Sequence, residues 1–166
     1  MKTDTGQSGF TLVEFLLYTG LLTVVIMVVS MMFSSITEIQ IESESTSAIS
    51  QDESFLVNRF AYDIRRAEDI LLPAREGDSS STLQLRIDGE TYQYAIIDGN
   101  LFLTTGGESY RLNGDGTSVA SVQFQRFGNP GGLPTVRYTI QLVSTALKPG
   151  ESAPRTQTVS ATVSLR

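Results

Sequence analysis

The apolar positions of this chain fall into three regimes with different periods. In the first, residues 15–33 (FLLYTGLLTVVIMVVSMMF), almost every position is apolar, broken only by Thr19, Gly20, Thr23 and Ser30. A helix made of such a run has no polar face, so it belongs in lipid or in a core rather than on a surface. Its 19 residues would rise roughly 28 Å, close to the hydrocarbon thickness of a bilayer. In the second regime Leu56, Phe60, Ile64, Ala67 and Leu71 recur at steps of four, four, three and four, one stripe along a helix. Arg59, Asp63, Arg66 and Asp69 fall mainly away from that stripe. Neither Pro nor Gly occurs between Leu21 and Leu72, and Pro73 is a natural terminator. The pattern therefore predicts one helix, apolar over 10–33 and amphipathic over 34–72. The stretch ESESTSAISQDE at 42–53 has a poor apolar face and many weak helix formers, so it is either exposed helix or a local interruption.

Past Ala74 the period drops to two. Leu83, Leu85 and Ile87 alternate with polar neighbours, as do Tyr92, Tyr94 and Ile96. Asp98-Gly99-Asn100 reads as a hairpin turn into Leu101 and Leu103. Val122 with Phe124, then Val136, Tyr138, Ile140 and Leu142, then Val159, Ala161, Val163 and Leu165 form further inward rows. The fold class is accordingly α+β: a long N-terminal helix whose amphipathic half covers one face of an antiparallel β-sheet built from residues 73–166.

Composition narrows the chemistry. The chain has no Cys, His or Trp, which removes thiol nucleophiles, disulfides, imidazole bases and zinc sites made of Cys or His. Between Glu38 and Asp78 ten acids face four arginines, whereas Ser79–Arg166 carries six acids and seven bases. An acidic middle and a nearly neutral end disfavour broad binding of nucleic acid, which needs clustered Lys and Arg. No cofactor and no metal site is expected. NGDGTS at 113–118 has the look of a calcium loop, but the twelfth position counted from Asn113 is Phe124 and the sixth is not Gly, so a plain turn is expected. Neither GGE at 106 nor GNPGG at 128 carries the Lys of a phosphate loop. Asp63, Glu68 and Asp69 beside Arg65 and Arg66 read as surface ion pairing on a helix.

The residues ahead of the apolar run discriminate most. A secretory signal peptide fits poorly, because the run exceeds the usual ~7–15 residues and no A-x-A-like site follows it. Ser8-Gly9-Phe10-Thr11-Leu12-Val13-Glu14, after a short polar leader containing Lys2, resembles the class III signal of type IV pilins and type II secretion pseudopilins. The resemblance implies a leader at 1–9, cleavage after Gly9 by a prepilin peptidase, N-methylation at Phe10, and a role for Glu14 in filament assembly. It also implies other pilin or pseudopilin subunits, an inner-membrane assembly platform and membrane lipid as partners. LVNRFAYDIRRAEDI, SVQFQRF, LPTVRYTIQLV and TVSATVSLR are similar to the PilW-like and GspJ-like branch of minor subunits. The Pro that many major pilins carry within the helix is absent here.

Glu14 then has a physical rationale. A carboxylate within a membrane helix costs about 2.5–3.5 kcal/mol on insertion scales, so it should meet a cation. Cleavage would create one, the amine of Phe10. That group lies four residues away on the same helix face, and in the family the acid is thought to meet the terminus of a neighbouring subunit. Lys2 on the leader side and Glu38, Glu42 and Glu44 beyond the run orient the leader toward the cytoplasm and the C-terminal domain outside. The expected function is a non-catalytic minor pilin or pseudopilin, a single-pass inner-membrane protein that enters a filament. The alternative is a binding module displayed on such a filament, an adhesin or DNA-capture subunit, with Gly128, Asn129, Pro130, Gly131 and Gly132 as its recognition loop.

Overall fold

The structure, a computed structural model, describes residues 11–128, 132–147 and 153–166. It divides into two compact units, Met1–Gln40 and Ile41–Arg166. A single helix, α1 (Leu12–Arg66), runs unbroken for 55 residues, through Gly20 and through the acidic stretch at 42–53. Continuity at 42–53 has visible causes. Ser45 and Ile49 are buried there, and the hydroxyls of Ser45 and Thr46 donate back to the Ile41 and Glu42 carbonyls at 2.8 Å. Weak helix formers are thus held by burial and by their own turn rather than by propensity.

The expected helix over 67–72 is not formed. α1 ends at Arg66, and Asp69–Leu72 is strand β1. The Glu68 N–H donates to the Arg86 carbonyl at 2.8 Å, and the Ile70 N–H to the carboxylate of Asp69 at 2.8 Å. Both donors that would have continued the helix ladder are therefore spent elsewhere. Burial changes step accordingly: Ala67 and Ile70 go inward, while Leu71 is only half-buried.

The remaining strands are β2 (Ser79–Ser80), β3 (Leu83–Ile87), β4 (Glu90–Ile97), β5 (Asn100–Thr105), β6 (Glu108–Arg111), β7 (Thr117–Phe127), β8 (Thr135–Ser144) and β9 (Thr156–Ser164). They make two antiparallel sheets, ordered β1-β3-β4-β5-β6 and β2-β7-β8-β9, where the alternation predicts one. The architecture is α+β, with the long N-terminal helix packed on these sheets. Leu83, Leu85, Ile87, Tyr94, Leu101, Leu103, Val122, Phe124 and the β8 row are all buried, as the period of two requires. β6 carries no inward row; every residue in it is exposed, at the edge of its sheet. The turn at Asp98-Gly99 is a two-residue hairpin with φ of 50° and 73°. Asp88-Gly89 repeats it between β3 and β4, at 52° and 78°. Two consecutive positive φ angles match the right-handed twist of the strands, and Asp-Gly reaches them at low steric cost.

The helix meets the sheets through Phe60. Its ring is fully buried and lies 4.9 Å from Tyr94, 5.0 Å from Tyr138 and 5.5 Å from Phe124, centroid to centroid. Tyr94 and Phe124 come from different sheets, so this aromatic cluster joins all three elements of the layer.

Candidate functional site

Thr11 and Glu14 build the head of α1. Thr11 precedes the first helical residue, and its Oγ1 accepts from the Glu14 N–H at 3.3 Å, while its carbonyl accepts from Phe15 at 3.1 Å. That is half of a capping box, T-x-x-E, written inside the motif TLVE. Glu14 is half-exposed in the first turn, and the Tyr18 hydroxyl donates to its Oε1 at 3.4 Å.

An acid here faces the positive end of the helix, which contributes about 0.3–1 kcal/mol. A neutral hydrogen bond adds on the order of 1 kcal/mol. At the centre of a membrane helix a carboxylate costs about 2.5–3.5 kcal/mol, and the cost falls toward the helix end, where Glu14 stands. α1 holds no Lys or Arg before Arg59, so a cation for this acid would have to come from outside the helix. Gly9 and Phe10, the expected processing site, lie outside the described residues.

From Leu12 to Ile39 the large apolar side chains all point to solvent, Leu12 76% and Phe33 71% exposed among them. Four hydroxyls of this stretch bond to their own helix. Thr19, Thr23, Ser34 and Thr37 donate to the carbonyls four residues earlier at 2.8–3.1 Å. Hydroxyls satisfied in this way need no water. A Cβ at Gly20 would touch nothing. The helix is long and apolar enough to cross a membrane.

Of the five residues expected to form a recognition loop, Gly128 and Gly132 are described. Gly128 follows β7 beside Glu76, whose Oε1 would lie 2.7 Å from an added Cβ, and Gly132 is exposed before Leu133. Asn129, Pro130 and Gly131 lie outside the described residues. Gly128 and Gly132 share a depression of about 420 Å³ with Arg137, whose guanidinium stacks 4.8 Å from the Phe127 ring. Arg137 is thus already engaged by Phe127.

Asp63 proves to be internal, and the turn at 113–118 is tied down by two buried residues, Asn113 and Thr117. Asp63 is not part of a surface ion pair with Arg65 and Arg66. It is fully buried, 2.7 Å from Arg59, and accepts a hydrogen bond from the phenol of Tyr94. Its place between Phe60 and Ile64 on the inward stripe was the available signal. The 113–118 loop is more than a turn. Buried Asn113 accepts from the Leu101 N–H at 2.9 Å and donates to the Thr117 carbonyl at 2.8 Å. Asp52 of α1 accepts from the Gly114 N–H at 2.8 Å and from the Thr117 hydroxyl. Among the described residues, no group of three or more acids converges as metal ligands would.

The chain matches no protein-family model, no curated protein and no solved structure.

Proposed function

We propose that this chain is a membrane-anchored filament subunit without catalysis of its own, a minor pilin or pseudopilin of a type IV pilus or type II secretion-like filament. In this reading a prepilin peptidase cuts after Gly9 on the cytoplasmic side. The C-terminal domain lies outside, and the mature chain is drawn from the inner membrane into a filament by an assembly platform and neighbouring subunits.

The observation that carries the proposal is Glu14. It sits in a capped first turn, directly after Gly9-Phe10, at the head of a helix that exposes apolar side chains all round. No cation of its own helix stands near this acid, because α1 carries no Lys or Arg before Arg59, and a neighbouring chain can supply one. A methylated amine at Phe10 of a neighbour is that cation. A plain anchor would gain only the helix-dipole term and the Tyr18 hydrogen bond from an acid at this position.

The test is the mass of the N-terminal peptide from native membranes. It is expected to begin at Phe10 and to carry one added methyl group. An intact Met1 terminus, or a cut beyond Phe33, overturns the reading.

A further inference from the structure

Asn113 and Gly114 form the only Asn-Gly pair in the chain. In such a pair the backbone nitrogen of the glycine loses its proton and attacks the side-chain amide carbon of the asparagine. The new C–N bond closes a cyclic succinimide as the amide C–N bond breaks and ammonia leaves. Water then opens the ring to aspartate or isoaspartate. Glycine permits the attack because no Cβ shields its nitrogen. The step needs a nitrogen that can give up its proton, an amide carbon free to swing onto it, and an amino group free to leave.

The fold withholds all of these. The Gly114 N–H donates to the carboxylate of Asp52 at 2.8 Å, 62 residues earlier on α1. A proton shared with a carboxylate is held on its nitrogen, because its loss would set two negative charges in contact. Asn113 is buried, and its Oδ1 accepts from the Leu101 N–H at 2.9 Å. Its amino group donates to the Thr117 carbonyl at 2.8 Å, to Asn100 Oδ1 at 3.1 Å and to the Gly114 carbonyl at 3.3 Å. The side chain is thus fixed through both its oxygen and its nitrogen.

The fold does not itself require glycine at 114. The residue is not among those with positive φ. An added Cβ would lie 3.5 Å from both carboxylate oxygens of Asp52, an ordinary contact. A reactive pair therefore stands where a less reactive one would fit, and the carboxylate that restrains its nitrogen comes from the helix.

We propose that Asn113-Gly114 is a latent deamidation site, kept silent by Asp52 for as long as α1 is seated on the 113–117 loop. When that contact opens, the Gly114 nitrogen is freed and the conversion runs in one direction. A carboxylate at 113 has no proton to give the Thr117 carbonyl and stands close to Asp52, so reseating is opposed by a lost hydrogen bond and by like charge. An isoaspartate also lengthens the backbone by one methylene. The change is a lasting mark that the helix has left the loop.

The test follows residue 113 by mass in full-length chains kept in detergent at mildly alkaline pH. Trypsin releases it in the peptide Leu112–Arg126, where deamidation exchanges an amino group for a hydroxyl and chromatography separates isoaspartate from aspartate. Folded wild type should stay intact while the same chain in concentrated urea converts. Asp52→Ala should convert about tenfold faster than folded wild type, the factor lost with one hydrogen bond to a charged group. Gly114→Ala added to that variant should return it to the wild-type rate.

Opening of the loop alone exposes little surface, so the Asp52→Ala rate should stay flat in urea below the unfolding transition. A rate that climbs with urea would assign the reaction to global unfolding and overturn the guard. So would an Asp52→Ala chain as inert as wild type, or a folded wild type that converts as fast as the variant. If Asp52→Ala does not fold, Asp52→Asn decides: it keeps an acceptor for the Gly114 N–H without the charge and should still convert faster than wild type. An equal rate overturns the proposal.

Discussion

The phenol of Tyr94 on β4 donates a hydrogen bond to the carboxylate of Asp63 on α1, 31 residues earlier, and both side chains are fully buried. The contact ties the helix to the five-stranded sheet at the point where Phe60 packs on the Tyr94 ring. Tyr94→Phe keeps that ring and takes one donor from a buried carboxylate, so it should cost about 1–3 kcal/mol in urea unfolding followed by circular dichroism. Burial first, and then Asp63, raises the Tyr94 pKa above its ordinary value of 10.0. A raised folded-state pKa favours the neutral phenol. Its contribution is therefore complete below pH ~10 and is lost as pH rises beyond that, at up to about 1.4 kcal/mol per pH unit. Tyr138, also raised by burial, adds to this alkaline slope. Tyr94→Phe should flatten the slope by about one proton, and an unchanged slope would show that Tyr94 does not carry it.

Asp52 predicts a second tie. Its carboxylate holds the Gly114 N–H and the Thr117 hydroxyl, 62 and 65 residues away, and so anchors α1 to the entry of β7. Asp52→Ala should cost about 1–3 kcal/mol and raise the hydrogen-exchange rate of the Gly114 amide, leaving the amides of β3 and β4 as protected as before. Equal loosening of every strand would mean that the loop is not a separate clamp.

Local periodicity explains which parts of this fold were legible. The rows Leu83-Leu85-Ile87 and Val136-Tyr138-Ile140-Leu142, the stripe through Leu56, Phe60 and Ile64, and the Asp98-Gly99 turn all follow from residues close in sequence. What failed depended on distant partners. The helix stops at Arg66 because Arg86 on β3 takes the Glu68 N–H. The strands divide into two sheets because β2 pairs with β7 rather than with β1 or β3. Asp63 reads as a surface acid until Tyr94 is beside it. β6 escapes a reading based on inward rows because it has none. At the candidate site, Gly9, Phe10 and Glu14 stand out in the sequence as a motif. In the proposed filament the partner for the Glu14 charge comes from another chain, beyond the reach of any pattern within this one.

The unit Ile41–Arg166 should fold without the apolar segment. Every buried residue among those described, from Ser45 to Leu165, lies within it. A chain beginning at Ile41 is expected to be soluble, with mixed helix and strand signals in circular dichroism and a cooperative urea transition. In that chain Phe60→Ala should cost about 3–5 kcal/mol, because it removes a fully buried ring from among three aromatic neighbours. An unfolded spectrum, or a loss below about 1 kcal/mol for Phe60→Ala, would contradict the packing described.

Glu14 gives the prediction that bears most directly on function. If its acid meets the amine of a neighbouring Phe10, Glu14→Val should leave insertion and cleavage after Gly9 intact, since the apolar run and the glycine are unchanged. Incorporation into filaments should fall sharply, because the neighbour's charged terminus would then have no partner in lipid. Glu14→Gln separates charge from shape: it keeps the side-chain length and can still accept from Tyr18, whose hydroxyl lies 3.4 Å from Oε1. It also leaves in place the Thr11 cap, which uses only the Glu14 backbone N–H. Gln is therefore expected to preserve the helix start and to impair assembly, and Val to abolish it. The readout is mature chain in sheared filaments, normalised to processed chain in membranes. Normal assembly of the Gln variant would assign the role to hydrogen bonding or packing rather than charge. Normal assembly of the Val variant would remove Glu14 from the mechanism.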